Sequence, residues 1–386
     1  MSSVFPRGVG SERAVAASGC WITDSSGDLY LDASGGAVVT GIGHGRREVV
    51  AALAEQLMQL DYVHATAFTS DVVEDYCARV AGLVPMQGAR VYPVSGGSEA
   101  TETVLKMALA YQQARGHPER SVLVAREGSY HGNTLGALDL SGRPHLRAPY
   151  ESWLGRFRQV PLDLGRLADE FVKGDVAAFV AEPISGASLA AAVPPDEFWP
   201  AVSELCRRHG VLLVTDEVMT GFGRTGRWFG IQHWDVEPDL MICAKGASSG
   251  YWPLGLAIAS GPVFDAIGED FVHGYTYSHH PAGAAVGRAV LDIIANEGLV
   301  EAAAEKGERL QSFLKESLAG RVTDVRGKGL LIGVTFDADP RIVVASARRQ
   351  GLLVYPAAIP AILLGPPLII SNEEIDELVR RLSAAL

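Results

Sequence analysis

Between about Ser70 and Pro281, apolar runs of strand length alternate with segments whose apolar positions recur at helical spacing. A strand buried on both faces reads as a continuous apolar run, so the pattern predicts a βα series around a buried, mainly parallel sheet. The predicted strands are 90–93, 121–125, 177–181, 211–215 and 240–244, with helices such as 101–115 and 197–209 between some of them. Both ends of the chain read differently. Segments 21–23 and 29–31, separated by Ser25-Ser26-Gly27-Asp28, predict a small hairpin, and 299–318 reads as helical. Strands over 330–336 and 351–355 and a final amphipathic helix over 372–386 complete the chain. The fold class is α/β, with a large domain over 50–281 and a smaller α+β domain built from 1–49 and 282–386.

One apolar run ends on an amine. Leu240-Met241-Ile242-Cys243-Ala244 leads directly into Lys245-Gly246. A lysine closing a buried strand is delivered to the interior or to a cleft, where desolvation lowers its pKa. Lys106, Lys173, Lys306, Lys315 and Lys328 lie in turn-like or amphipathic settings and read as surface lysines. Lys245 is therefore a candidate nucleophile, although a solvated charge is the commoner fate of any lysine.

Composition narrows the partners. The 386 residues are 48% apolar and 20% charged, enough for a large core, and 45 Asp+Glu against 33 Lys+Arg leave a formal charge of −12. No basic stripe is available for phosphate backbones, so nucleic acid is not an expected partner. No apolar run has the length of a membrane span, and Cys20, Cys77, Cys206 and Cys243 show no paired spacing. A cytoplasmic protein with small-molecule ligands and no metal is the expectation.

Other segments carry possible chemistry. Val94-Ser95-Gly96-Gly97-Ser98-Glu99-Ala100 places glycines and a hydroxyl at a helix N-terminus, which is either an anion cradle or an ordinary cap. Val211 to Val218 is a buried strand that delivers Asp216 and Glu217 at its C-terminal end, for a ligand or for the following turn. Ser129-Tyr130-His131-Gly132 offers a ring that can stack on a planar ligand or pack in the core. Gly221-Phe222-Gly223-Arg224-Thr225-Gly226 matches GxGxxG but is followed by Arg227-Trp228-Phe229-Gly230, and no acid occurs between Asp239 and Asp265. It reads as a glycine-rich loop, which makes a NAD-dependent dehydrogenase a remote alternative.

Taken in order, these segments resemble the class III (ω-type) aminotransferases of the fold-type I pyridoxal phosphate enzymes. The resemblance rests on Gly-His-Gly at 43–45, Ser-Gly-Gly-Ser-Glu-Ala at 95–100, Tyr-His-Gly at 130–132, Ala-Glu-Pro at 181–183 and Asp-Glu-Val at 216–218. It continues through Gly-Phe-Gly-Arg-Thr-Gly at 221–226, Ala-Lys-Gly at 244–246, His-Gly-Tyr-Thr-Tyr at 273–277 and Pro-Pro-Leu at 366–368. It implies a seven-stranded, mainly parallel sheet and pyridoxal 5'-phosphate as cofactor. Lys245 would hold the cofactor as a Schiff base and Asp216 would bond its pyridine nitrogen. Val218 and Tyr130 would flank the ring, with His131 beside it and Glu182 near its hydroxyl edge. Gly97 and Ser98 would hold the phosphate, and Thr276 would reach the cofactor of a partner subunit, so that a homodimer shares its active sites.

The resemblance also implies substrate-side positions at Val38, Ala187, Arg224, Tyr355 and Leu363. Many family members carry an arginine at the position of Leu363 and a glutamate at that of Ala187, which together gate a substrate α-carboxylate. Both charges are absent here, and a desolvated carboxylate facing two apolar side chains would cost several kcal/mol. The expected reaction therefore moves an amino group between an amine-type donor (an ω-amino compound, an amino sugar or a biosynthetic intermediate) and a keto or aldehyde acceptor. A racemase, epimerase or aminomutase on the same scaffold would use the same lysine and aspartate.

Overall fold

A computed structural model of the protein describes Ser3, Phe5, 12–269 and 271–386. The N-terminal part of the expected small domain, 1–11 apart from Ser3 and Phe5, lies outside the described residues. A seven-stranded sheet runs in the order Arg90–Val94, Gly255–Ala259, Leu240–Cys243, Leu212–Asp216, Val176–Ala181, Val122–Arg126 and Arg158–Val160. Gly255–Ala259 runs antiparallel to both of its neighbours, and every other pairing is parallel. The apolar pattern found five of these strands. It missed Gly255–Ala259 and the three-residue edge strand Arg158–Val160.

Alternation along the strands builds a core on each face. Leu212, Val214, Leu240 and Ile242 pack with Ala100, Val104 and Ala108 of helix Gly97–Ala114. Leu213, Met241 and Cys243 point the other way, into the cluster that holds Trp199, Val202 and Leu205 of helix Phe198–His209. These strands are buried on both faces, which is why they read as unbroken apolar runs. Helix Phe198–His209 ends at Gly210 with φ +64, the left-handed turn that glycine adopts without steric cost.

Two four-stranded sheets draw on both ends of the chain. Ala14–Ser18, Trp21–Asp24 and Leu29–Asp32 are joined by Leu352–Leu353, and Asp324–Lys328, Leu331–Thr335 and Ala361–Leu364 by Tyr355–Pro356. The expected single strand over 351–355 is thus divided between two sheets: Leu352 pairs in parallel with Leu31, while Tyr355 pairs antiparallel with Leu363. Helix Asn372–Ala385 opens with a capping box between Ser371 and Glu374, and the same Glu374 accepts the Trp21 indole N–H at 2.7 Å. One carboxylate therefore starts the last helix and ties it to the first hairpin. Among the described residues, no helix is long and apolar enough to cross a membrane, and no three His, Cys, Asp or Glu side chains group as metal ligands.

Candidate active site

Asp216 ends strand Leu212–Asp216, and Lys245 follows Leu240–Cys243 after one residue. Glu182 follows Val176–Ala181, and Gly96-Gly97 follow Arg90–Val94. These parallel strand ends form the crevice where open α/β sheets bind ligands. Sheet register places Asp216 opposite Ile242, three residues before Lys245. Of the nine positions expected to contact the cofactor, eight line one cavity of about 190 Å³: Gly97, Ser98, Tyr130, His131, Glu182, Asp216, Val218 and Lys245. Thr276 does not. It is exposed, its carbonyl accepts the Tyr62 hydroxyl at 2.9 Å, and it borders a separate cavity beside His64 and His279.

Burial pushes the Lys245 amine down to about 8, against the opposing pull of Asp216 and Glu182 and with help from Arg143 and Arg224. Near neutrality an appreciable fraction of this amine is uncharged. Its backbone is held at φ +43, in the left-handed region that costs a non-glycine residue about 1 kcal/mol or more. The turn that imposes this is closed by Ser249 N–H donating to the Lys245 carbonyl at 2.9 Å. The Ser249 hydroxyl in turn accepts Gly41 N–H and Ile42 N–H at 2.8 and 3.0 Å, anchoring the turn to the N-terminal segment.

The Asp216 carboxylate is oriented from two sides. Val218 N–H donates to Oδ1 at 3.0 Å, and His131 Nδ1 lies 2.7 Å from Oδ2. With an anionic Asp216 a proton sits on Nδ1, and Nε2 is buried with no hydrogen-bond partner among the described residues. The His131 backbone is fixed as well. Its N–H donates to Ser141 Oγ at 2.9 Å, and its carbonyl accepts the Thr101 hydroxyl at 2.7 Å, linking the Tyr130-His131 loop to helix Gly97–Ala114.

At the start of that helix, Glu99 accepts the Ser95 N–H at 2.8 Å, so its carboxylate stabilises the turn entering the helix. Two glycines keep the space open. A Cβ on Gly97 would meet Ala244 and Val218, and one on Gly132, at φ +135, would lie 2.6 Å from Ser98 Oγ. The cavity thus combines an amine, a carboxylate, flanking Val218 and Tyr130, and a helix N-terminus bearing a hydroxyl. These groups match the aldehyde, ring nitrogen, ring faces and phosphate of pyridoxal 5'-phosphate.

The two adjacent carboxylates predicted at this strand end separate completely. Asp216 lies on the face of Leu212 and Val214 and meets the cavity. Glu217 turns inward, accepting the Thr220 hydroxyl, Gly230 N–H at 2.7 Å and Ile231 N–H at 2.8 Å. Burial pushes its carboxyl up to about 7, opposed by these three donors. It pins the glycine-rich 221–226 loop, whose non-helical path agrees with its reading as a loop. Glu217→Gln places an NH₂ against one of the backbone donors. The expected loss is about 1–3 kcal/mol in a denaturant unfolding series, with activity per folded molecule retained. Unchanged stability would contradict this role.

None of the five substrate-side positions lines the cavity. Val38 is buried at φ +61, Ala187 accepts the Ala358 N–H through its carbonyl at 2.9 Å, and Tyr355 pairs with Leu363. Leu363 is wholly enclosed in the main apolar core. Arg224, the one cation among these positions, is buried and donates through Nη1 to the Leu330 carbonyl at 3.1 Å and the Pro366 carbonyl at 2.5 Å. It ties the glycine-rich loop to the C-terminal segments. Three site residues had no signal in the pattern: Met219 on the cavity wall, Arg126 paired with Glu182 at 3.1 Å, and Arg143 stacked 5.2 Å from the Tyr130 ring.

Residues 8–386 match the family model for aminotransferase class-III. The uncharacterized aminotransferase YodT of Bacillus subtilis strain 168 is 37% identical over 94% of this chain and 92% of its own length. A putrescine–pyruvate aminotransferase of Pseudomonas aeruginosa is 32% identical over 96% of this chain and 89% of its own. Among solved structures, a PLP-bound amine transaminase from an uncultivated Pseudomonas species superposes with a TM-score of 0.92 at 34% identity, covering all of this chain and 96% of the other. The chain belongs to the class III aminotransferases, enzymes that move an amino group with pyridoxal 5'-phosphate.

Proposed function

We propose that Lys245 and Asp216 are the catalytic pair of this aminotransferase and that its amino donor carries no carboxylate on the reacting carbon. What supports the substrate reading is that Leu363 and Ala187, the positions where many family members carry a charged gate, are uncharged and packed in the apolar core away from the cavity, so that they offer a carboxylate no partner. A relative named for putrescine and pyruvate supports it, because putrescine is an amine without a carboxylate.

When bound, pyridoxal 5'-phosphate supplies an aldehyde for the amine and a protonated ring that accepts the electron pair of the bond broken at the substrate carbon. Lys245 would hold the cofactor and, once displaced, move a proton at that carbon, a task suited to an amine held at about 8. Asp216 would keep the ring nitrogen protonated, with His131 fixing its direction. Val218 and Tyr130 would flank the ring and Glu182 would meet its hydroxyl edge. Gly97 and Ser98 would bind the phosphate from one subunit, and Thr276 from the other, in a homodimer.

The test is a donor panel under single-turnover conditions, following the cofactor's visible band. Butylamine is expected to convert the enzyme with a kcat/KM about 10- to 100-fold above that of 2-aminobutanoate, the cost of an uncompensated buried carboxylate. Activity confined to α-amino acids in both half-reactions would overturn the reading. Repeated turnover of one amine without any keto acceptor would instead indicate an isomerase.

A further inference from the structure

The turn that carries Lys245 is held by two side chains that do not line its cavity, Ser249 and Tyr251. Lys245 at φ +43, Ser249 at φ +52 and Gly250 at φ +84 all lie in the left-handed region, and the first two lack glycine's freedom there. Backbone of that kind persists only where its surroundings over-determine it. Here the surroundings are the N-terminal segment 41–46. Ser249 Oγ accepts Gly41 N–H at 2.8 Å and Ile42 N–H at 3.0 Å. Two residues on, the Tyr251 hydroxyl accepts Arg46 N–H at 2.8 Å and donates to the Gly43 carbonyl at 2.9 Å. Between these anchors the backbones lie close together, since a Cβ on Gly250 would stand 3.2 Å from the Val39 side chain.

The two anchors differ in what they connect. Ser249 N–H donates to the Lys245 carbonyl at 2.9 Å, so the residue that grips Gly41 and Ile42 also closes the turn on the lysine. Tyr251 N–H donates instead to the Ser248 carbonyl at 3.0 Å, outside that closure. Both bonds to Ser249 Oγ are buried, and a buried N–H without an acceptor is costly. Segment 41–42 therefore holds the hydroxyl in place as firmly as the hydroxyl holds the segment.

We propose that Ser249 is a positioning residue for the reaction: its hydroxyl locks the Lys245 turn onto segment 41–42 and so fixes where the amine stands in the cavity. This rests on the reading above that Lys245 is the reacting amine. Tyr251 anchors the same segment without fixing the lysine.

Ser249→Ala and Tyr251→Phe form a matched pair, because each strips two backbone groups of the segment of their partner. In the holoenzyme, Ser249→Ala is expected to lower kcat about 10- to 100-fold with KM nearly unchanged, the cost of misplacing a reacting group by about 1 Å. Tyr251→Phe should leave kcat close to the wild-type value, although both variants lose stability in urea. Ser249→Cys, whose thiol is a weaker acceptor, should recover part of the lost kcat. Selective labelling of Lys245 in the apo-protein across pH gives a readout independent of the cofactor. Its midpoint should rise from about 8 toward the ordinary 10.5 in Ser249→Ala, as the loosened turn admits water to the amine, and stay in place in Tyr251→Phe. Equal kcat losses in the two variants, or an unmoved Lys245 midpoint in Ser249→Ala, would overturn the proposal and leave Ser249 a structural anchor. So would failure of both Ser249 variants to fold. Full turnover in Lys245→Ala would instead overturn the reading of the lysine itself, so the two failures are distinguishable.

Discussion

Lys245→Ala is expected to abolish multiple turnover, with kcat/KM falling about 10⁴-fold or more, the scale of a lost general acid/base that also holds the cofactor. The same change should leave the apo-protein as stable as the wild type or more so, and this separates a catalytic lysine from a structural one. A lysine whose folded pKa is about 8, below the ordinary 10.5, is protonated in both states below pH 8, where its full desolvation cost falls on the folded form. As pH rises from 8 to 10.5 the folded state releases its proton first, so the wild type gains stability that the variant does not. The difference in apo-protein stability between the two is expected to approach 3 kcal/mol near pH 7, reduced by the cavity left behind, and to shrink above pH 8. Alanine also retains the unfavourable φ of +43, so Lys245→Gly should be more stable still. A variant that retained turnover would remove Lys245 from the mechanism, and one that unfolded at every pH would mark it as structural.

That lysine was legible in the sequence because a buried parallel strand is a continuous apolar run and the first polar residue after it stands at the ligand edge. Asp216 was legible for the same reason. The pattern left Asp216 and Glu217 open, and the resemblance singled out Asp216; the structure separates them, because Leu212, Val214 and Asp216 share the face toward helix Gly97–Ala114 while Glu217 does not. Strand Gly255–Ala259 escaped because glycine and alanine make a weak strand signal. The structure supplies the reason for that composition: a Cβ on Gly255 would lie 2.3 Å from the Gly96 carbonyl, so the strand is thinned where it passes the anion-cradle loop. Arg158–Val160 is a short edge strand with two polar residues and no periodicity to find. Arg143 sits in a Gly-Arg-Pro turn, and a turn arginine reads as solvated until the fold shows Tyr130 beneath it. Residues at strand ends could be found from the pattern, and Tyr130 and His131 from their motif, whereas Arg143, brought to them by a separate loop, could not.

Asp216→Asn tests the electrostatic half of the site with little change of shape. Asparagine can still accept the Val218 N–H at one position and face His131 at the other, so the loop geometry given by the 3.0 and 2.7 Å contacts is expected to survive. What disappears is the negative charge, and with it the force that keeps a proton on the ring nitrogen and stabilises charge developing in the ring. The expected fall in kcat is on the order of 10²- to 10³-fold, the range for losing one preorganised electrostatic partner. Removing the anion also withdraws a favourable neighbour from the Lys245 ammonium, so the apo-protein amine should titrate lower than in the wild type. Selective labelling of Lys245 by an amine-reactive aldehyde, followed by mass spectrometry across pH, reads this inflection directly. His131→Phe provides the graded comparison: it keeps the Asp216 charge and removes one orienting contact, so it should lower kcat by less than Asp216→Asn. Equal losses in the two variants would transfer the role from the charge of Asp216 to the position of its loop, and a catalytically intact Asp216→Asn would exclude the carboxylate from the chemistry.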